Sequence, residues 1–196
     1  KAIIKADISE IKQYMFSRCT ALKEVSIPAS VEFIRTWAFG DCAPMKSITL
    51  PEGLKGIDAE AFNGCSSLNE ITLPEGLEQL GAHAFDRCKA LKSITCLRNE
   101  PLVQGVTMGV SVFDGVDKNT CELKVPRGYK DQYAAAEQWK EFTNISEHDL
   151  TGISLPINQG RTMKTAIFTL NGQRLPANAQ PAQGLYIING KKVYVK

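Results

Sequence analysis

Residues 65 to 87 read C-S-S-L-N-E-I-T-L-P-E-G-L-E-Q-L-G-A-H-A-F-D-R, and this stretch decides the fold of the chain. Its apolar positions return at a constant step of 23 residues. The columns that repeat are Cys19, Cys42, Cys65 and Cys88; Phe16, Phe39, Phe62 and Phe85; Leu22, Met45, Leu68 and Leu91; and Val25, Ile48, Ile71 and Ile94. A repeat of this length predicts a solenoid, in which each coil buries its apolar side only against its neighbours.

One short strand can be located within each repeat. Ile71 and Leu73 should point inward, whereas Glu70 and Thr72 should point outward, which is the alternation of a β-strand. Pro74 ends the strand because it has no amide to donate to a ladder. The sequence therefore predicts one strand in each coil, stacked in parallel on its neighbours.

Residues 2–97 resemble the BspA-like class of bacterial surface leucine-rich repeats, with the pattern C-x-x-L-x-x-I-x-[IL]-P-x-x-[VL]-x-x-I-x-x-x-A-F. Departures from the pattern are few: Met15 replaces alanine, Met45 replaces leucine and Leu97 replaces proline. The resemblance implies a curved, right-handed solenoid that is mainly β. It implies one parallel sheet on the concave side, with short strands and helical turns on the convex side. Ala2 already occupies a strand position, so we expect residue 1 to be an internal boundary of a longer chain.

The period stretches after Ile94, and we expect an insertion of about six residues near 98–109. Residues 128–142 have a helical pattern with Trp139 beside the apolar stripe. We expect this helix to cap the open end of the core, with Trp139 either packed there or available to a ligand. The same stretch resembles the terminal unit of bacterial surface repeat proteins.

Short β patterns follow a predicted linker at 148–151. Asn171-Gly172 and Asn189-Gly190 each lie between apolar runs, which is the pattern of a tight hairpin. These signals predict a small antiparallel β domain of five strands. It resembles C-terminal domains of exported bacterial proteins, including type IX secretion sorting domains, and so implies export. The predicted domains are a solenoid at 1–97, an irregular last repeat with its helical cap at 98–147, and the β domain at 148–196.

The cysteine column should consist of buried free thiols. Equivalent residues of stacked coils lie about 4.8 Å apart, whereas the Cβ atoms of a disulfide lie about 3.8 Å apart. No CxxC motif or Cys/His pair has the spacing of metal ligands, so no metal and no cofactor are expected. Cys96 continues an inward column, and the pairing of Cys96 and Cys121 is left open.

Composition and motifs give little support to catalysis. The net charge of +2 favours neither nucleic acid nor an anionic membrane, and no apolar run is long enough to span a bilayer. The two histidines, His83 and His148, belong to no recognisable catalytic motif. We therefore expect no catalytic residues. An enzyme would need a deep pocket with converging ionisable groups.

Partner binding is the function that the residue pattern favours. The outward strand positions form two polar columns: Glu24, Ser47, Glu70 and Ser93, continued by Glu122; and Ser26, Thr49, Thr72 and Thr95. Lysines rim this surface, which suits a protein partner; the alternative is that its residues only solvate a sheet. Tyr14 and Trp37 share another column and form a second candidate, able to stack on a sugar or an apolar partner or else to cover a convex groove.

These observations predict a non-enzymatic, adhesin-like interaction module, exported to the periplasm, the cell surface or the medium. Its partner would be a host or bacterial surface protein, with a glycan as a further candidate. The alternative is a structural spacer that presents a C-terminal sorting or anchoring domain.

Overall fold

The computed structural model describes residues 2–4, 8–148, 167–169, 184–188 and 191–195. The chain divides into two compact units, residues 1–152 and residues 153–196. Each unit is described by itself.

Each coil of the first unit contributes up to two short strands. In chain order the strands are β1 (Ala2–Ile3), β2 (Glu10–Ile11), β3 (Glu24–Ser26), β4 (Phe33–Ile34), β5 (Ser47–Thr49), β6 (Gly56–Ile57), β7 (Glu70–Leu73), β8 (Gln79–Leu80), β9 (Ser93–Cys96), β10 (Glu122–Pro126) and β11 (Asn144–His148). The first series runs β1-β3-β5 and then β7-β9-β10-β11, and the second series runs β2-β4-β6-β8. All these strands pair in parallel. The result is a parallel β-solenoid of about six turns, as the repeat predicts.

The register of the strands follows the sequence repeat. Val25 lies opposite Ile48, and Ile71 lies opposite Ile94. The phenylalanine column forms a continuous stack, with successive ring centroids 5.3, 5.4, 5.2 and 6.0 Å apart from Phe16 through to Phe113. A sequence interval has therefore become one continuous core, as predicted. The predicted curvature and handedness of the solenoid stay predictions.

The cysteine column consists of free thiols, and three of its four members donate hydrogen bonds to the preceding coil. Cys42, Cys65 and Cys88 are fully buried, whereas Cys19 is only half-buried. The three buried thiols donate hydrogen bonds of 3.0, 3.2 and 3.3 Å to phenylalanine carbonyls of the preceding coil. The free-thiol prediction is confirmed. Cys96 and Cys121, whose pairing was open, are also buried and free.

Tight turns that follow the second-series strands use left-handed backbone conformations. The first such column has φ between 56° and 60° at Tyr14, Trp37, Glu60 and His83. These non-glycine residues bear a steric cost in that region, and main-chain hydrogen bonds to the next coil offset it. The Tyr14 amide donates to the Thr36 carbonyl at 3.2 Å, and the Glu60 amide donates to the Ala82 carbonyl at 2.9 Å.

The insertion lies where the sequence predicts it. Leu80 bridges Met108 and Phe85 stacks on Phe113, so both columns continue across a step of 28 residues rather than 23. Residues 98–107 form the inserted loop. Buried columns therefore resume after it, and the solenoid is not interrupted.

The helix predicted over 128–142 is much shorter in the structure. It consists of α1 (Lys130–Ala135) and a separate 3-10 turn at Trp139–Glu141. Ala136 is extended, with ψ of 140°, and Gln138 has φ of 65°, so the helix cannot continue between them. Trp139 is 1% exposed and its indole nitrogen donates to the Leu102 carbonyl at 3.1 Å, which places it in the core. Among the described residues no helix is long and apolar enough to span a membrane.

His148 does not belong to a linker, contrary to the prediction. It ends β11, which pairs with β10 so that Leu123 lies opposite Ile145 and Pro126 opposite His148. A His148 ring nitrogen also lies 3.1 Å from the Cys96 carbonyl oxygen. Leu123 and Ile145 are 22 residues apart rather than 23, so the repeat does not mark Asn144–His148 as a seventh strand of the first series. The rest of the predicted linker lies outside the described residues.

Three strands are described in the second unit: β12 (Ile167–Thr169), β13 (Gly184–Ile188) and β14 (Lys191–Val195). They pair in antiparallel fashion in the order β12-β13-β14, with Ile188 opposite Lys191. The two predicted Asn-Gly turns lie outside the described residues. The five-stranded domain and the division at 97 and 147 stay predictions.

Candidate partner-binding surface

The outward side chains of four first-series strands form what we call the polar sheet face. Its members are Glu24 and Ser26 in β3, Ser47 and Thr49 in β5, Glu70 and Thr72 in β7, and Ser93 and Thr95 in β9. The first six are exposed and the last two are half-buried. Alternation places them outward because the residue between each pair, such as Ile48 or Ile71, is buried in the core.

Strand register brings the predicted surface residues side by side. Glu24 lies opposite Ser47 and Ser26 opposite Thr49, and the same holds for the equivalent pairs of β7 and β9. Between β5 and β7 no ladder pairing is present in the described strands, but the Asn69 amide still donates to the Lys46 carbonyl at 3.0 Å. The face is therefore two in-register halves joined at this step.

Two further strands continue the polar sheet face, and they add Lys124 and Ser146 to the predicted Glu122. Ser93 lies opposite Glu122 and Thr95 opposite Lys124, and β11 adds Ser146 opposite Lys124. The Ser146 hydroxyl donates to a Glu122 carboxylate oxygen at 2.7 Å, and the Lys124 amine lies 3.4 Å from the other oxygen. Both contacts favour the ionised carboxylate and lower the pKa of Glu122, the hydroxyl contributing more. Apolar and polar residues alternate at positions 122–125 and 144–146. This alternation is the sequence signal that places Lys124 and Ser146 on the polar sheet face.

Tyr14 and Trp37 lie apart from the polar sheet face, in the turns that follow β2 and β4. Tyr14 is 57% exposed, and Trp37 is half-buried. The Trp37 indole lies against Gly40, since a Cβ added there would be 2.0 Å from Cε3. Among the described residues no ring contact joins Trp37 to Tyr14. The stacking of these two rings on a ligand stays a prediction, and Trp37 has one side occupied by its own coil.

A polar network on the neighbouring turns was not foreseen from the sequence. Asn63 is 3% exposed, and its amide oxygen accepts hydrogen bonds from Arg87 Nε at 2.9 Å and Nη2 at 2.6 Å. Arg87 Nη2 also reaches the Asp41 carboxylate, at 3.2 Å, two coils away. Gly64 makes this reach sterically feasible, because a Cβ there would lie 2.3 Å from Asp41 Oδ1. The network joins three coils and so stabilises their register.

The described residues hold little that could perform chemistry. Burial raises the pKa of Cys42 to about 11 and that of Cys88 to about 12, so these thiols stay protonated near neutral pH. Among described residues no group of three or more His, Cys, Asp or Glu could hold a metal ion. His83 is partly exposed and lies 4.0 Å from Asp86, without a nucleophile between them.

The geometry defines a leucine-rich repeat solenoid with a polar sheet face. Comparison with known families agrees: residues 1–104 match the model of the BspA type leucine rich repeat region, in six copies. The chain belongs to this family. The curated proteins include no significant sequence match.

Solved structures with the same fold include two bacterial proteins. The leucine rich repeat protein TpLRR of T. pallidum is 28% identical, with a TM-score of 0.57; the alignment covers 76% of this chain and 69% of that one. The pneumococcal vaccine antigen PcpA is 22% identical, with a TM-score of 0.55, and the alignment covers 76% of this chain and 40% of that one. The second similarity shows the fold alone.

Proposed function

We propose that this protein is a non-enzymatic interaction module that works at the bacterial surface or outside the cell, and that the polar sheet face binds a protein partner. The observation that carries the proposal is the array of carboxylates and hydroxyls on β3, β5, β7 and β9, which forms two in-register halves and is exposed on the first three of these strands. None of these side chains belongs to the buried hydrophobic core. Most of them are exposed, and they sit on a rigid scaffold.

The character of the face favours a protein over a glycan. Its side chains are Glu, Ser and Thr, and none of its eight defined members is aromatic. Hydroxyls and carboxylates can bind main-chain amides and basic side chains of a partner, whereas sugar binding commonly uses stacking on rings. Tyr14 and Trp37 supply rings elsewhere, and through them a glycan is the second candidate ligand.

Export is supported by the kinds of proteins with which the chain shares its repeat. The family is the BspA type, the class of bacterial surface repeats that the sequence pattern resembles. An adhesin-like role with a host or bacterial surface protein follows from this. Residues 148–196 would then serve as a sorting or anchoring domain, as the sequence resemblance implies. In the alternative function the repeats are a spacer for that domain.

Substitution on the polar sheet face tests the proposal. Thr49 and Thr72 are exposed, and arginine at both positions would introduce bulk and charge without touching the core. Surface plasmon resonance should measure binding of the full chain to collagen, fibronectin, fibrinogen and laminin, and to purified surface proteins of the producing bacterium. The double variant should lose at least about tenfold in affinity for the bound protein. Thr20→Arg, at an exposed turn position outside the face, is the matched control.

The alternatives predict different results. If Trp37→Ala removes binding and the Thr49 and Thr72 changes do not, the ring surface is the site. If no protein or glycan of the panel binds and the chain is still presented at the cell surface, the spacer function is favoured. Turnover of a substrate would indicate a catalytic role and would contradict the proposal of a non-enzymatic interaction module.

A further inference from the structure

A groove of about 520 Å³ lies beside the inserted loop, away from the polar sheet face. Its lining includes Asp58 and Ala59, which follow β6, the strand β8 and the loop segment 105–109. The residues that matter for its chemistry are Asp58, Gln79, Gly81, Val106, Thr107 and Gly109. No residue of the groove belongs to the candidate surfaces described above.

One column of the groove changes from charged side chains to glycine. Arg35 and Asp58 occupy this column in two coils, and Gly81 and Gly109 occupy it in the next two. A Cβ on Gly81 would lie 2.2 Å from the Ala59 nitrogen, and one on Gly109 equally close to the nitrogen of residue 82. Side chains are therefore excluded at both positions by close packing of the main chain. At these two positions the groove is therefore lined by main-chain atoms alone.

The wall of the groove is held in place before any ligand arrives. The Val103 carbonyl accepts hydrogen bonds from the amides of Val106, Thr107 and Met108 at 2.9 to 3.1 Å. Gln138, which is 7% exposed, donates from its side-chain amide to the Gly109 carbonyl at 2.6 Å. A preformed wall lowers the entropy lost on binding.

One end of the groove carries an incompletely neutralised acid pair. The Arg35 guanidinium lies 2.7 Å from a Glu10 carboxylate oxygen and 3.5 Å from a carboxylate oxygen of Asp58. One cation therefore serves two anions, and the three groups together keep one negative charge. Asp58 has the longer contact and lines the groove. A second cation from a ligand would complete its neutralisation.

The wall of the groove offers an aliphatic contact next to this carboxylate. Val106 is 82% exposed, although the neighbouring Met108 is buried in the core. None of the described lining residues is aromatic. A ligand that fits this site has a cationic group next to an aliphatic group. A polypeptide supplies both, whereas a sugar does not.

We propose that this groove binds an extended peptide segment of a protein partner. A lysine or arginine of the segment pairs with Asp58, and a neighbouring aliphatic side chain packs on Val106. The glycine floor accommodates the main chain of the segment, and Gln79 and Thr107 are the polar side chains beside it. This site is independent of the polar sheet face, so either can fail without the other.

Nuclear magnetic resonance with defined peptides tests the proposal on the full chain. The probe is acetyl-Gly-Val-Lys-Val-Gly-amide, and the matched control probe replaces its lysine with glutamate. The lysine peptide should shift the amide signals of Asp58, Gly81, Val106 and Gly109, and the glutamate peptide should shift them far less. Binding should weaken about two- to fivefold in Asp58→Asn and should also weaken as sodium chloride is raised.

A second variant separates binding from folding. Val106→Ser changes a side chain that is 82% exposed, so the melting temperature should stay the same while peptide affinity falls about two- to fivefold. Val110→Ser, at a residue that is 54% exposed and does not line the groove, is the control. Equal shifts with both peptides, or no shift at these amides, would overturn the proposal. So would maltose shifting the same amides in place of the peptide.

Discussion

The Cys65 thiol donates a hydrogen bond to the main-chain carbonyl of Phe39, with Sγ 3.2 Å from the oxygen. The same oxygen accepts the Cys42 amide of its own coil at 3.2 Å. The thiol therefore uses the second acceptor position of a carbonyl that already closes a turn. This bond explains why the column prefers cysteine to another small residue: the side chain fills the core and also joins two coils.

Loss of one such thiol should be measurable. Replacing Cys65 with alanine removes a fully buried sulfur together with its hydrogen bond, so the free energy of unfolding should fall by about 1–3 kcal/mol. Urea denaturation followed by circular dichroism gives this value. Cys19→Ala, at the half-buried member of the column, should cost clearly less. Equal costs at both positions would argue against the inter-coil bond.

Alkaline pH should destabilise the fold through the same column. Burial raises the pKa of Cys42 from an ordinary value of 9.0 to about 11 and the pKa of Cys88 to about 12. The folded state thus holds these protons more tightly than the unfolded chain does. Their stabilising contribution is complete below pH 9 and is lost as pH rises through the folded pKa values, by up to about 1.4 kcal/mol per pH unit for each thiol. Unfolding measured from pH 8 to 11 should be less pH-dependent in Cys42→Ala. If the free energy of unfolding of Cys42→Ala falls with pH as steeply as that of the unsubstituted protein, Cys42 does not have the raised pKa.

Gly81 should be far more sensitive to substitution than glycines at open turns. A Cβ at Gly81 would be 2.2 Å from the main-chain nitrogen of Ala59, which cannot move without displacing the coil. Gly81→Ala should therefore lower the free energy of unfolding by about 3 kcal/mol or more. The matched change Gly53→Ala meets its nearest atom at 3.6 Å, an ordinary contact. It should alter stability by less than about 1 kcal/mol. Thermal unfolding of the two variants gives the comparison.

Asn63 should contribute more to stability than an exposed asparagine. It is buried and bonds to Arg87, and its amide nitrogen also lies 3.2 Å from Glu60 and 3.4 Å from Asp86. Asn63→Ala leaves several polar groups without their partner, so we expect a loss of about 2 kcal/mol in the free energy of unfolding. Asn69→Ala, at an exposed site, is the control. Near-identical denaturation curves for the two variants would show that the network contributes nothing.

The sequence was sufficient for the parts of the fold that depend on the repeat. Columns such as that of Phe39 and Phe62 predict stacking because every member lies in the same place in its coil. The alternation around Ile71 then fixes which residues face outward. The polar sheet face could be predicted for this reason, although its function was not thereby tested.

Features that depend on a single coil could not be predicted in the same way. Asn63 and Gln138 are buried polar residues that each bond to a residue more than 20 positions away in sequence, and no repeated pattern marks them. The helix was predicted too long because the left-handed conformation at Gln138 has no composition signal. His148 was assigned to a linker because β11 follows an irregular coil and falls outside the 23-residue step.

The groove beside the inserted loop illustrates the same limit. Gly81 and Gly109 are each unremarkable in sequence, and only the offset of 28 residues between their coils places them side by side. Val106 looks like a core residue by composition, yet it is 82% exposed. Insertions within a repeat thus create sites that the repeat itself does not encode.

The stacking of equivalent residues underlies the core, the polar sheet face and the groove alike. Long-wavelength diffraction from crystals of the native protein would locate every sulfur atom by its anomalous signal. The sulfurs of Cys42, Cys65 and Cys88 should form one row with neighbours about 5 Å apart. If they lie on different sides of the molecule, the solenoid is wrong, and every surface derived from it is wrong as well.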